Sequence, residues 1–249
     1  MKRAVSLMVL LGILGALIGC DRNTSDVVNP GQGLPWATLA GTLAHGDPDL
    51  DLPTPKPTRS LDAPMFTLLS DDFSDPESGW PVYADEYGNS AYSRGAFEIK
   101  SIQEKYYSWR TAGLNADNIR IDVDVRVRQT NSEKDDGFGV DCRIQENGDG
   151  YGFRISSDGY ITISLYVDLE ASSLLEWQES SAIYTDGRVN HIAVVCDADQ
   201  FTFFVNDIQV AQVTDDTFKS GDVALSVISF TAEPVAVAFD NLVVRQFSD

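Results

Sequence analysis

The chain has 249 residues, with 38 acids against 18 bases and a formal charge of −20. A surface this acidic repels phosphate backbones and anionic lipid heads, which argues against nucleic acid as a partner and against a membrane contact held by charge. With 43% hydrophobic and 10% aromatic residues the chain has enough apolar matter for one sizeable core, and its expected partners are neutral or cationic: glycans, calcium or a basic protein patch.

Met1-Lys2-Arg3 is a short cationic start, followed by an uncharged apolar run from Ala4 to Ile18. That run falls short of the ~20 residues a membrane-crossing helix needs, and small residues close it, so it reads as an export signal. Its end, Leu17-Ile18-Gly19-Cys20, resembles the lipobox of bacterial lipoproteins. The resemblance implies cleavage before Cys20 and acylation of its thiol and new amine, which would leave the protein lipid-anchored to a cell membrane and facing outside the cytoplasm. Residues 20–64 read as a disordered, Pro-rich linker. Seven of the ten prolines fall there, and "DLPTPKPTRS" has the alternating prolines of an extended spacer that forms neither ladders nor helices.

From about Met65 the dominant signal is period two. Ile119, Ile121, Val123, Val125 and Val127 alternate with Arg120, Asp122, Asp124, Arg126 and Arg128, which places apolar and charged groups on opposite faces of one long strand. The same alternation recurs in "GFGVDCRIQ", "YITISLYV", "HIAVVCD", "FTFFVND" and "DVALSVIS", with "NGDG", "SDG" and "TDG" between the runs supplying turn residues that tolerate positive φ. Roughly a dozen strands at this spacing predict an all-β antiparallel sandwich over residues 65–249. Cys142 and Cys196 both fall on apolar strand faces and so both point into the core; the sequence leaves open whether they are bonded or are two buried thiols.

"DDFSDPESGWPV" at 71–82, "GFGVDCRIQENGDGYGFRISSDGY", "VNHIAVVCDADQFTFFVNDIQVAQV" and the closing "VAVAFDNLVVRQF" resemble the concanavalin A-like jelly roll, in particular bacterial laminin-G-like and 3-keto-disaccharide hydrolase-like domains. The resemblance implies a two-sheet sandwich that binds sugar on its concave face or at its rim, and, in laminin-G relatives, a rim calcium ion. For that ion the acidic loops offer Asp135, Asp136, Asn147 and Asp149, with Glu133 and Glu146 beside them.

The chain has no G-x-S-x-G elbow, no phosphate-binding glycine loop and no H-E-x-x-H; His45 and His191 are its only histidines. Glycosidases of this fold carry Glu-x-Asp-x-(x)-Glu on one strand, which is absent here. The nearest substitute is Asp122 with Asp124, about 7 Å apart by strand rise. A better constellation for binding is a polar face built from Asp122, Asp124 and Arg126 on one strand, Asp141 and Arg143 on the next and Arg154 on a third, flanked by Tyr106, Tyr107, Trp109 and Trp177 for stacking. The expected role is a cell-surface module that binds polysaccharide or adheres, without catalysis or an obligatory cofactor. The alternatives are a glycoside hydrolase that uses these acids and a structural module for a cell-envelope protein.

Overall fold

The computed structural model describes residues 59–60, 62–168 and 170–248. The export signal, the lipidation expected at Cys20 and most of the linker lie outside the described residues.

Fifteen strands follow one another without a helix among the described residues. They are β1 (Met65–Asp71), β2 (Tyr83–Ala84), β3 (Gly88–Ser93), β4 (Ala96–Ser101) and β5 (Tyr106–Thr111); then β6 (Ile119–Gln129), β7 (Asp136–Ile144), β8 (Gly150–Ile155), β9 (Tyr160–Val167) and β10 (Glu170–Glu179); and finally β11 (Asn190–Asp197), β12 (Gln200–Val205), β13 (Ile208–Thr214), β14 (Asp222–Ser229) and β15 (Val235–Phe247). They form two antiparallel sheets. The larger runs β13-β12-β11-β6-β15-β4-β3-β2, with β1 also pairing β15, and the smaller runs β10-β9-β8-β7-β14. β5 lies along the free side of β14, fixed by Lys105 N donating to Ser229 O at 2.7 Å and Ala112 N donating to Val223 O at 2.9 Å.

The alternation read from sequence decides which face of each sheet is inside. Ile121, Val123 and Val125 of β6, Val194 of β11 and Phe201 and Phe203 of β12 meet Phe138 and Val140 of β7, Phe153 of β8, Ile163 of β9 and Leu225 of β14 in one core. Of the register slips along the strands, one in β15 and one in β7 bear on the site. In β15, the register with β6 slips between Asp240 and Val243, and Asn241 takes φ of 52°. The inward set therefore passes from Val235, Val237 and Phe239 to Leu242 and Val244, because an extra residue re-aims everything after it. In β7, Arg143 takes φ of 56° where the register with β14 slips, with consequences for the site below.

Cys142 of β7 and Cys196 of β11 are bonded, which ties the smaller sheet to the larger across the core. The bond joins positions 54 residues apart, so it removes considerable freedom from the unfolded chain. Reduction, or the double change Cys142→Ala and Cys196→Ala, is expected to cost about 2–4 kcal/mol and to lower Tm by roughly 5–15 °C for a domain of this size. Calorimetry with and without reductant measures it, and an unchanged Tm would show that the bond contributes nothing.

Candidate functional site

The expected polar face divides between two sheets. β6 pairs with β11 and β15, not with β7, so Asp122, Asp124 and Arg126 project from the outer side of the larger sheet, whereas Asp141 and Arg154 project from the outer side of the smaller one. Consecutive strands in a sandwich often belong to opposite sheets, and one-strand periodicity does not encode which sheet a strand joins.

On the larger sheet the acids are occupied by cations and amides. Asp122 accepts Arg120 Nη2 at 2.6 Å and Arg245 Nη1 at 3.0 Å. Asp124 accepts Asn241 Nδ2 at 2.9 Å, and its other oxygen lies 2.8 Å from His191 Nδ1. Burial alone would raise the Asp122 carboxyl, but His191 and Arg120 outweigh it and hold the group below the usual carboxylate range. A glycosidase acid needs the opposite shift. His191, hydrogen-bonded first toward Asp122 and also to Asp124, is pushed up to about 9. This is a charge network that ties β6, β11 and β15 together, and Arg126 is exposed beside it.

Arg143 also leaves the expected face. Its positive-φ bulge turns the guanidinium toward the end of the sandwich, where Nη1 donates to Ala198 O and Phe218 O, both at 2.8 Å, over the Phe201 ring. It pins the loops that close that end. Tyr106 is another correction: alternation along β5 buries it against Tyr87, ring centres 5.3 Å apart, and turns its neighbour Tyr107 to the outer face.

The acidic loops proposed for calcium flank opposite ends of β7. Asp135 and Asp136 precede or begin it, and Asn147 and Asp149 follow it, so about 25 Å of strand separates the two groups and they cannot share one ion. Asp136 is spent on Thr130 Oγ1, Ser157 N and Ser157 Oγ, and Asp149 accepts Asn147 Nδ2 and Asp168 N. Among the described residues no group of three or more His, Cys, Asp or Glu is placed to hold a metal ion.

What remains, and gains members, is the outer face of the smaller sheet. Arg154 of β8 and Asp141 of β7 are 1% and 0% exposed. Arg154 Nη2 donates to Asp141 Oδ1 at 2.8 Å, and Tyr107 Oη donates to Oδ2 at 2.6 Å. The guanidinium lies against two rings, 4.8 Å from the centre of Tyr107 and 5.3 Å from that of Tyr166. Its Nε and Nη1 have no hydrogen-bond acceptor among the described residues, and the ring faces supply their electrostatic complement. Gly152 makes this possible, because a Cβ there would lie 2.1 Å from Arg154 Nη1. Burial pushes the Tyr107 hydroxyl well above its ordinary value and raises Asp141 as well.

Over this pair the rings continue. Tyr107 is near-parallel to Tyr166 (5.4 Å, 9°) and to Trp109 (6.5 Å, 27°), and all three are half-buried. Trp177 of β10 stands across the face, 37% exposed, edge-on to Phe230, with its ring tip beside Gly137 and the Arg154 side chain. Beyond Trp109 opens a cavity of about 500 Å³ also lined by Asn115, Gln145, Glu146 and Asp222. Tyr166 is the residue that sequence reasoning missed. The inward phase of Ile161, Ile163 and Leu165 on β9 was the signal that would have turned it outward.

No family model matches the chain, and no curated protein matches it. Among solved structures it is similar to the carbohydrate-binding module CBM66 from Bacillus subtilis, with TM-score 0.55 and 16% identity over 66% of this chain and 93% of that one. It is similar to a galectin-like protein of unknown function from Bacillus subtilis, with TM-score 0.55 and 9% identity over 72% and 96%. It is also similar to the catalytic domain of an endo-1,3-β-glucanase, a laminarinase, from Thermotoga petrophila RKU-1, with TM-score 0.53 and 9% identity over 75% and 100%. The fold is the concanavalin A-like sandwich.

Two outcomes follow for these charge networks. Arg154→Met leaves Asp141 buried without its counter-charge and is expected to cost about 3–5 kcal/mol. Adding Asp141→Leu, which removes the stranded charge, should recover much of the loss in urea unfolding. His191 holds its proton in the folded state to about pH 9 against an ordinary 6.5, so its contribution is complete below pH 6.5 and lost as pH rises through 9. Tm should fall across that window and fall less in His191→Gln, by an amount that solvent screening keeps near or below ~1 kcal/mol.

Proposed function

We propose that the protein is a carbohydrate-binding module, held to the outer side of a cell membrane by lipid on Cys20, that takes a polysaccharide along the outer face of its smaller sheet. The observation that carries this reading is the row Trp109, Tyr107, Tyr166 seated on the buried Arg154–Asp141 pair. Aromatic rings stack on the C–H faces of sugars and lose little entropy in doing so when already held. Here the charge pair fixes Tyr107 by its hydroxyl and two rings by their faces, so the row is rigid before ligand arrives. The cavity beside Trp109 adds amide and carboxylate groups able to orient sugar hydroxyls. The sugar-binding activity named for the CBM66 module of the same fold supports the reading, and the lipobox resemblance at Cys20 supports the anchor.

Binding without turnover is the form we favour, because the Asp122 carboxyl is held ionised by its partners and Asp124 is tied to His191 and Asn241. Affinity electrophoresis against a panel of soluble polysaccharides tests the proposal. At least one neutral polysaccharide should retard the protein, and Trp109→Ala and Tyr166→Ala should each weaken retention about tenfold or more, the loss typical of a truncated anchor aromatic. Retention unchanged in both variants would move the site elsewhere, and release of new reducing ends would make the protein a hydrolase.

A further inference from the structure

At the end of the sandwich where β7 begins, a second cavity of about 230 Å³ has a basic lining. Its charged members are Arg128, Lys134 and Arg188, and no acid lines it, in a chain whose acids outnumber bases 38 to 18. The three cations come from three separate segments: the end of β6, the turn before β7 and the loop before β11.

Both walls are built by buried polar groups. On one, Asn190, 4% exposed, clamps the backbone of Tyr184 by accepting from its N at 2.8 Å and donating to its O at 3.0 Å. Arg188 then lies on the Tyr184 ring, 3.8 Å from its centre, with Nε on Asp186. That leaves the outer edge of a positioned guanidinium for a planar anion. On the other wall, Asp136 ties Thr130 to Ser157. Neither Arg128 nor Lys134 has an ion-pair partner within 4.0 Å among the described residues. Of the nearby acids, three are engaged: Asp136 on this wall, Asp186 on Arg188, and Asp158 with Ser156 Oγ. Asp135 and Glu133 share the turn with Lys134, and Asp240 faces Arg128 at longer range.

We infer that this pocket binds a carboxylate-bearing sugar, a uronic acid unit. The cations supply the carboxylate site. Thr130 and Ser157, whose hydroxyl protons go to Asp136, offer oxygen acceptors and Thr185 a hydroxyl, and the volume equals roughly eight waters at ~30 Å³ each, room for one monosaccharide. The choice of a sugar rests on the proposed function, whereas the preference for an anion rests on the pocket alone.

The test is an NMR titration of the ¹⁵N-labelled protein with sodium glucuronate, glucose and sodium acetate. Glucuronate should saturably shift amides in Tyr184–Asn190 and Thr130–Asp136, with glucose and acetate at least tenfold weaker. Lys134→Ala combined with Arg188→Ala, both exposed and so compatible with folding, should weaken glucuronate at least tenfold, and Lys219→Ala, exposed and outside both the pocket and the ring row, should leave it unchanged. Glucose equal to glucuronate, or the double variant equal to wild type, overturns the inference, and acetate equal to glucuronate reduces the pocket to a plain anion site and overturns the sugar assignment. The two readings fail separately. Polysaccharide retention that survives Trp109→Ala and Tyr166→Ala, beside intact glucuronate binding, removes the aromatic platform and leaves the pocket standing.

Discussion

A charge pair with almost no access to water, Arg154 on Asp141, governs the outer face of the smaller sheet. Burying two ions is costly, and the cost is offset only where geometry is close and remaining donors and acceptors are occupied. Here one carboxylate oxygen takes the guanidinium and the other takes the Tyr107 hydroxyl. The guanidinium itself needs Gly152 beneath it and two tyrosine faces against it. Each of these requirements constrains a different strand: β7, β8, β9 and β5. The pair therefore does for the outer face what apolar packing does for the inner one, fixing the relative position of four strands whose outward residues would otherwise be free to vary.

That account separates the molecule's two charged faces. On the larger sheet, Asp122 and Asp124 meet Arg120, Arg245, His191 and Asn241 in a partly solvated network, with Arg120 over the Phe204 ring, where cross-strand pairs stabilise by small increments. On the smaller sheet the charges are covered by rings, and the rings are what solvent meets. Stacked rings of this kind match the apolar C–H faces of sugars, which is why the proposed site is placed on the second arrangement.

The two-sheet antiparallel sandwich was legible because period two is a local property: Ile119 to Val127 states its own inside and outside with no reference to other strands. The partition into sheets was not legible, since nothing in β6 or β7 encodes that the first pairs with β11 and β15 and the second with β8 and β14. Arg143 was misplaced for a different reason. Its strand pattern was sound, but a single residue at φ of 56° sent the side chain to the sandwich end, and a non-glycine at positive φ leaves no compositional mark. Of the aromatics, Trp109, Tyr166 and Trp177 lie on the outer side of the smaller sheet, whereas Tyr106, one position out of phase with Tyr107, lies inside; the outward phase of Tyr166 follows from the inward Ile161, Ile163 and Leu165 on its strand.

Net charge and local charge then act at different ranges. At −20 the whole surface repels anions, but that repulsion is screened within about 8–10 Å at physiological salt. Inside the cavity of Arg128, Lys134 and Arg188 the nearest groups decide the field, because the pocket walls exclude part of the water that would weaken it. An anionic partner would therefore approach against a weak, screened barrier and be held by short contacts. Composition alone points to neutral and cationic partners; only the convergence of three separated basic residues on one cavity, which no linear reading contains, adds an acidic one.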